Sequence, residues 1–147
     1  MIEKMSFEKI LKCYSHGEPP TATSQQKQVS TRGGKVRMFN KPHVEAAKQE
    51  LALRFASRRP RTPIEGAIYV KLTFTFSHPK AHRKAIKKRV MLKHTRPDID
   101  NLAKLFLDAI SPMYFVDDNQ VAMLTATKQW GPAPGIGLEI FKQCGIR

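Results

Sequence analysis

Long apolar runs and cysteines are both scarce in this sequence of 147 residues. No apolar run approaches the roughly 18 residues of a transmembrane helix, and the N-terminus lacks a secretory apolar block, so we expect no membrane insertion or export. Cys13 and Cys144 lie near opposite ends without metal-ligand spacing. One possible bridge is not a disulfide framework. These absences predict reduced thiols in a cytoplasmic protein.

Acidic residues are also few, at 12 against 26 lysines and arginines, which leaves a formal charge of +14. A protein this basic attracts polyanions, and nucleic acid is the leading candidate among them. An anionic membrane surface is the competing partner, but the sequence has no apolar segment to insert into it. The length suits one compact domain, which we expect to span residues 1–147.

Apolar spacing predicts two main helices. The first follows Pro42 and ends before Pro60, and the second covers residues 99–110 and is closed by Ser111 and Pro112. The apolar positions that recur at helical intervals are Val44, Ala47, Leu51 and Phe55 in the first helix, and Ile99, Leu102, Phe106 and Ala109 in the second.

Alternation of apolar and polar residues predicts strands at 68–76, 121–130 and 136–142, of which the last two read as a terminal antiparallel hairpin. A further hairpin is predicted at residues 29–39, where Gly33 and Gly34 supply the positive φ angles of a tight turn. Residues 17–28 read as a polar loop. The elements together predict an α+β fold, with a mixed or antiparallel sheet that carries the two helices on one face.

The segment from residue 78 to 96 is the most basic in the chain, with eight lysines or arginines and no acid. Such a segment can neutralise DNA phosphates, which makes affinity fall steeply with salt, although a charge run is often only a solvated surface. The net charge favours DNA contact. The predicted DNA-binding residues are Lys84, Lys87, Lys88, Arg89, Lys93 and Arg96, together with Arg32 and Lys35 at the glycine turn.

Histidines and aromatic residues allow further interpretations. His78 and His82, four residues apart, suit a helical zinc pair with His94 as a third ligand, but no nearby Cys or Glu completes the site, so ordinary loop histidines are favoured. Phe74 and Phe76 fit core packing better than base stacking. Trp130 fits either role.

All five aspartates fall between residues 98 and 118, whereas the seven glutamates are scattered. Carboxylates repel phosphates unless a cation lies between them. If residues 98–100 are extended, Asp98 and Asp100 project to the same side, and the chain beyond the helix is long enough to return a carboxylate from Asp117 or Asp118. Oxygen donors of this kind suit Mg²⁺ or Mn²⁺ and do not suit zinc.

Structural roles for the same residues stay open. Asp98 and Asp100 also occupy positions typical of a helix cap and first turn, and Asp117 and Asp118 fit a turn. Lys104 lies one turn beyond Asp100, where its ammonium could face a phosphate or form an ordinary surface ion pair.

The string HTRPDIDNLAKLFLDAI from residue 94, followed by YFVDDNQV and by Lys128 before Trp130, resembles the RusA-type Holliday junction resolvases. Their core pattern is Asp-x-Asp-Asn-Leu-x-Lys, a helix with a later Asp, and Asp-Asp-x-Gln-Val. The resemblance implies metal-binding catalytic carboxylates at Asp98, Asp100 and Asp118 and an essential lysine at Lys104. Asp117, Asn101 and Asp108 also match the pattern. We expect Asp117 to be structural or to support a metal-binding carboxylate, Asn101 to cap the helix or orient a carboxylate, and Asp108, two turns beyond Asp100, to lie on the solvated helix face.

The resemblance also implies a Mg²⁺-dependent endonuclease, with Mn²⁺ as a substitute, that acts as a homodimer on branched DNA in recombination or repair. Paired symmetric nicks in a four-way junction, bearing 5′-phosphate and 3′-hydroxyl ends, are the expected products. The alternative is a non-catalytic nucleic-acid-binding protein whose acids are caps and turns. A nuclease for flaps or RNA is a third possibility.

Overall fold

The computed structural model describes residues 4–22, 27–30, 32–34, 37–40 and 42–145. In these ranges the strands are β1 (Phe7–His16), β2 (Lys27–Ser30), β3 (Arg37–Asn40), β4 (Ile68–Phe76), β5 (Met91–Leu92), β6 (Val121–Trp130) and β7 (Gly135–Gln143). The helices are α1 (Pro42–Ala56), α2 (Lys84–Lys87) and α3 (Ile99–Ile110), and short 3-10 turns occupy Arg32–Gly34 and Asp118–Gln120.

A five-stranded mixed sheet forms the centre of the structure, in the order β1-β7-β4-β6-β5. β4 pairs in parallel with β6 and antiparallel with β7, while β1 and β5 pair antiparallel at the two edges. β2 and β3 form a separate antiparallel pair, and Gly33 and Gly34 between them have φ angles of 75° and 74°. The sequence-predicted glycine turn is therefore confirmed, and so is the α+β class.

The two long helices pack against the same face of the sheet. Pro42 begins α1, where its fixed φ suits the first turn and its missing N–H costs no hydrogen bond. Phe106 of α3 lies at the centre of the core, with ring centroids 5.0 Å from Phe55 of α1 and 5.9 Å from Phe74 of β4. Every apolar position predicted to line the two helices is buried or packed against this core.

The predicted terminal hairpin is wrong, because β6 and β7 are separated by β4. The connection from residue 131 to 134 crosses the end of β4, where the Gly131 N–H donates to the carbonyl of Phe76 at 2.9 Å. β4 is the most completely buried strand in the sheet. A strand this apolar is most stable at the centre of the sheet, where both of its edges are paired. This preference outweighs the usual tendency of consecutive strands to pair with each other.

Periodicity did not identify β1, β5 or α2. β1 has a register irregularity between Lys9 and Leu11, which breaks the alternation that marks a strand. β5 and α2 have only two and four residues. The predicted polar loop at 17–28 is corrected at its end, because β2 begins at Lys27.

The two cysteines and the apolar character of the helices bear on the remaining predictions. Both cysteines are free, and burial raises the pKa of the Cys13 thiol, which disfavours its reactive thiolate form. In the described part of the chain, no helix combines the length and apolar character needed to cross a bilayer.

Candidate active site

Asp98 lies at the N-cap position of α3 with an extended backbone (φ −67°, ψ 137°), but its carboxylate does not cap the helix. Its main-chain carbonyl accepts the first helical hydrogen bond, from the Leu102 N–H at 3.0 Å. The purely structural interpretation of Asp98 as a cap therefore lacks the hydrogen bond that would define it. The exposed carboxylate is left for another role.

Asp100 is in the first turn of α3, so the chain is extended at Asp98 but already helical at Asp100. The expectation that both residues project from one extended segment is corrected. Asp100, Lys104 and Asp108 instead follow at intervals of four residues, which places them along one face of the helix. This face carries two carboxylates with an ammonium between them.

Among the described residues, Lys104 forms its ion pair with Asp108, Nζ to Oδ2 at 3.5 Å, and not with Asp100. The Lys104 side chain is 59% exposed and that of Asp108 28%. A pair this accessible to water is weak, so Lys104 can leave Asp108 at little cost when a stronger anion arrives.

Asp117 and Gln120 fix the turn that carries Asp118. The Asp117 carboxylate accepts from the Asn119 N–H at 3.0 Å, and the Asp117 N–H donates to Gln120 Oε1 at 3.0 Å. The Gln120 amide then donates to the carbonyls of Ile64 and Gly66, both at 2.9 Å. Asp117 thus has the structural role expected of it, and Gln120 fastens the turn to the segment before β4.

The environment of Asp118 is acidic. A hydrogen bond with Asp117 raises the pKa of Asp118, desolvation and the charges of Asp108 and Asp117 raise it further, and Lys104 opposes them. The chain after α3 therefore returns to the stretch of the helix that carries Lys104 and Asp108. An open concavity of about 310 Å³ at this place is lined by Lys48, Asp108, Ser111, Val116, Asp117 and Asp118.

The sequence gives little indication that two further residues belong to this region. Asp108, which the sequence predicts on the solvated helix face, is half-buried, pairs with Lys104 and lines the same concavity as Asp118. Lys48 of α1 lines the same concavity and had no local motif to identify it. Only the packing of α1 on α3 brings it there.

A hard divalent cation fits the chemistry of this site, because its donors are carboxylate oxygens. No three His, Cys, Asp or Glu side chains in the described ranges form a ready-made metal-binding group. Mg²⁺ is usually held by only one or two carboxylates, with water and substrate phosphates completing the shell. The residues present therefore fit a cation that is held jointly with a substrate.

The predicted DNA-binding residues differ in how accessible they are to phosphates. Lys84, Lys88, Arg89 and Arg96 are exposed. Lys87 is half-buried and its Nζ donates to the carbonyl of Lys80 at 3.3 Å. The side chain of Arg32 and all of Lys35 lie outside the residues that the structure describes. The exposed group is thus the best placed to meet phosphates.

Lys93 is less available than its neighbours. Its Nζ lies 5.1 Å from the ring centroid of Phe76 and 5.2 Å from that of Trp130, and it donates to Thr95 Oγ1 at 2.5 Å. Burial lowers the pKa of Lys93, and the neighbouring charge of Lys128 lowers it further. These contacts point to a packing role for Lys93.

The sequence allows Trp130 either to pack in the core or to stack on a base. Trp130 is only 4% exposed in the structure and cannot stack on a base in this conformation. Its ring contacts those of His78, His82 and His94, with centroids 4.9–6.3 Å apart. His78 Nε2 lies 2.6 Å from the carbonyl of Arg89 and must donate to it, while the two Nδ1 atoms of His78 and His82 are 2.9 Å apart. The histidines anchor the basic segment to the sheet. His78 and His82 precede α2, which begins at Lys84, so they are loop histidines, as the sequence favours, and not a helical zinc pair.

Comparison with known proteins gives a family match. The family model described as endodeoxyribonuclease RusA matches residues 18–141, well over half of the chain. The match contains every residue of the site described above and confirms the resemblance seen over residues 94–130.

Two relatives share most of their length with the chain. The uncharacterized protein YqaN of Bacillus subtilis (strain 168) is 29% identical over 131 residues, which cover 85% of this chain and 91% of the relative. The crossover junction endodeoxyribonuclease rusA of Lactococcus phage r1t is 28% identical over 107 residues, which cover 72% of this chain and 78% of the relative.

Proposed function

The chain belongs to the RusA endodeoxyribonuclease family, and we propose that it resolves four-way DNA junctions by paired, symmetric, Mg²⁺-dependent nicks. Family membership supports a nuclease acting on DNA junctions. The name of the phage relative, a crossover junction endodeoxyribonuclease, supports the same substrate. A role in recombination or repair follows from that substrate.

One observation carries the proposal. Asp98 occupies a helix-cap position without using its carboxylate as a cap, next to a helix face that presents Asp100 and Lys104. Asp118, on the turn after α3, lines a concavity together with Asp108 of the same helix. In a protein with a charge of +14, this local concentration of negative charge opposes phosphate binding unless a cation is shared.

Asp98, Asp100 and Asp118 are the residues that would hold Mg²⁺. Held there, the ion would supply neutralisation of phosphate charge and activation of water for attack on phosphorus. The ammonium of Lys104, released from Asp108, offsets negative charge that develops on the phosphate oxygens. The Asp117–Gln120 cap keeps Asp118 in place while the substrate binds.

The exposed lysines and arginines of the basic segment would hold the DNA arms. Lys84, Lys88 and Arg89 are solvent-accessible on and after α2, which β5 and the histidine contacts with Trp130 attach to the sheet. Phosphate contacts of this kind position a duplex without reading its sequence. Junction specificity then requires two active sites in a defined relation.

A homodimer would supply those two sites, because two-fold symmetry relates two identical centres to two opposed strands. Within the described residues, β5 pairs with β6 only at Gln129 and Trp130, so most of the outer edge of β6 carries no strand. Met123 and Leu124 on this edge are 42% and 43% exposed. An unprotected edge with exposed apolar side chains supports self-association there. The cytoplasm, where free thiols persist, is the proposed compartment.

The test uses a labelled synthetic four-way junction and a linear duplex of the same sequence, each with Mg²⁺ or with EDTA. We expect paired nicks at opposed positions only with the junction and Mg²⁺, and none with Asp98→Asn, while Glu8→Gln, a control on β1, cleaves like the unmodified protein. Junction binding without nicking would support a non-catalytic binding protein instead. Faster cutting of flaps or RNA would assign a different substrate.

A further inference from the structure

Lys128 of β6 contacts both ends of the segment that leads into the active site. Its main-chain carbonyl accepts a hydrogen bond from the Lys93 N–H at 3.0 Å. Its ammonium donates to the carbonyls of Thr95 at 2.6 Å and Pro97 at 2.7 Å. One residue therefore holds both the beginning and the later part of the connection between β5 and α3.

The two hydrogen bonds that the Lys128 ammonium donates are short and charge-assisted. Lys128 is half-buried, and hydrogen bonds from a charged donor are shorter and about twice as strong as those between neutral groups. Neither carbonyl lies within a helix or strand, so the ammonium replaces the partner that secondary structure would have supplied. Removing it would leave polar main-chain atoms at a partly buried position without this donor.

Asp98 is the residue directly after Pro97, and its own carboxylate is not used to fix the helix terminus. The position of Asp98 is therefore set by the chain before it and by the first turn after it.

We infer that Lys128 is a positioning residue of the active site: its ammonium holds the Thr95–Pro97 segment and thereby places Asp98 and Asp100 for cleavage. This inference rests on the proposed nuclease function. Lys128 acts through the main chain and does not contact the substrate. Its loss should therefore slow cleavage and leave DNA affinity intact.

The experiment compares Lys128→Met, which keeps the length of the side chain without its charge, with Lys128→Arg, which can still donate to both carbonyls. Lys142→Met, on β7, is the control for the loss of one positive charge. Single-turnover cleavage of a four-way junction is measured over a range of Mg²⁺ concentrations. Junction affinity is measured separately by gel shift in EDTA.

We expect Lys128→Met to lower the cleavage rate about 100-fold, as a displacement of catalytic groups by about 1 Å does, and to require more Mg²⁺ for half-maximal rate. Affinity should match that of Lys142→Met, and Lys128→Arg should recover most of the rate. Equal cleavage by Lys128→Met and Lys142→Met would overturn the inference. A loss of affinity that accounts for the whole loss of rate would make Lys128 a DNA contact and would overturn it too.

Amide hydrogen exchange provides a readout that does not depend on nuclease activity. In Lys128→Met the Leu102 amide, which donates to Asp98, should exchange faster, while the Lys93 amide, held by the unchanged main chain, should not. If the unmodified protein fails to cleave junctions, the proposed function fails, but this exchange pattern still tests the placement. Unfolding of both Lys128 variants, seen by circular dichroism, would make the residue purely structural and refute the assignment.

Discussion

Lys104 and Asp108 face each other across one turn of α3, with Nζ 3.5 Å from Oδ2. The charge of Asp108 raises the pKa of Asp118, and the charge of Lys104 lowers it. The ion pair lies within α3, and Asp108 lines one concavity together with Asp118 of the following turn. In the free protein, Asp108 holds the ammonium of Lys104. When DNA binds, a phosphate competes with Asp108 for this ammonium. Cleavage should depend on Lys104, whereas stability should hardly depend on the pair.

Lys104→Met should lower the cleavage rate by about 100-fold, the loss typical of removing one electrostatic stabiliser of a transition state. The free energy of unfolding should change by only about 0.5 kcal/mol or less, because the pair is exposed. Single-turnover kinetics and urea denaturation measure the two effects. Lys48→Met, which removes the other lysine near Asp108, is the comparison: an equal loss of rate would assign the effect to general charge around Asp108.

Asp98→Asn and Asp100→Asn should abolish junction cleavage and leave binding intact or tighter, because a charge that repels phosphate is removed. Cleavage is assayed with Mg²⁺, and affinity is assayed by gel shift in EDTA. Glu8→Gln on β1 loses the same charge far from α3 and should alter neither quantity. Weakened junction binding by the two asparagine variants would favour a structural role for these carboxylates.

Asp118 should show a pH dependence to which Asp108 contributes. The pKa of Asp118 is raised by its hydrogen bond with Asp117, by desolvation and by the charges of Asp108 and Asp117. If cleavage needs the ionised carboxylate, protons compete with Mg²⁺ for Asp118, and at limiting Mg²⁺ the acidic limb of the pH–rate profile lies above the ordinary range of an aspartate. Asp108→Asn removes one repulsive charge and should move this limb to lower pH; an unmoved limb would show that another group controls it.

The same shift has a consequence for stability. A carboxyl whose pKa is higher in the folded protein than in the unfolded chain binds its proton more tightly when folded, so its contribution to stability is present at low pH and lost as pH rises through the folded pKa. At neutral pH the charge on Asp118 is therefore unfavourable. Asp118→Asn should raise the melting temperature at pH 7, measured by calorimetry, while it abolishes cleavage. The difference from the unmodified protein should shrink at acidic pH.

Gln120→Leu should disconnect the Asp118 turn from the segment before β4. The substitution removes two hydrogen bonds to the carbonyls of Ile64 and Gly66 and one from the Asp117 N–H. Leaving such groups unsatisfied should cost about 1–3 kcal/mol, measured by urea denaturation. Gln49→Leu, at an exposed position of α1, is the control and should leave stability nearly unchanged.

Binding should respond to the exposed cations of the basic segment. Replacing Lys84, Lys88 and Arg89 together by glutamine should reduce the steepness of the salt dependence of junction affinity by roughly 0.9 for each phosphate that the variant no longer neutralises. The same assay on a triple glutamine variant of Lys4, Lys12 and Lys142 controls for net charge. Identical slopes for the two triple variants would exclude specific phosphate binding by the basic segment.

Much of the fold could be predicted from the sequence because several elements carry their own apolar period. α1, β4 and α3 each place one complete apolar face against the core, so their type and approximate limits follow from local spacing. Apolar spacing did not identify β1, because its irregular register and half-buried edge position weaken the alternation of apolar residues. The pairing of β6 was mistaken because strand order depends on distant partners, which local periodicity does not record.

The sequence by itself determined the two helices, the central strand, the basic character and the aspartate motif that identifies the family, because composition, periodicity and motif spacing are local properties. Only the tertiary structure decided that Asp108 and Asp118 line one concavity, that Gln120 and Lys128 hold the segments before two of the carboxylates, and that Trp130 is covered by histidines. These contacts join residues far apart in the chain. They exist because the packing of helices, turns and strands brings together residues that no local pattern relates.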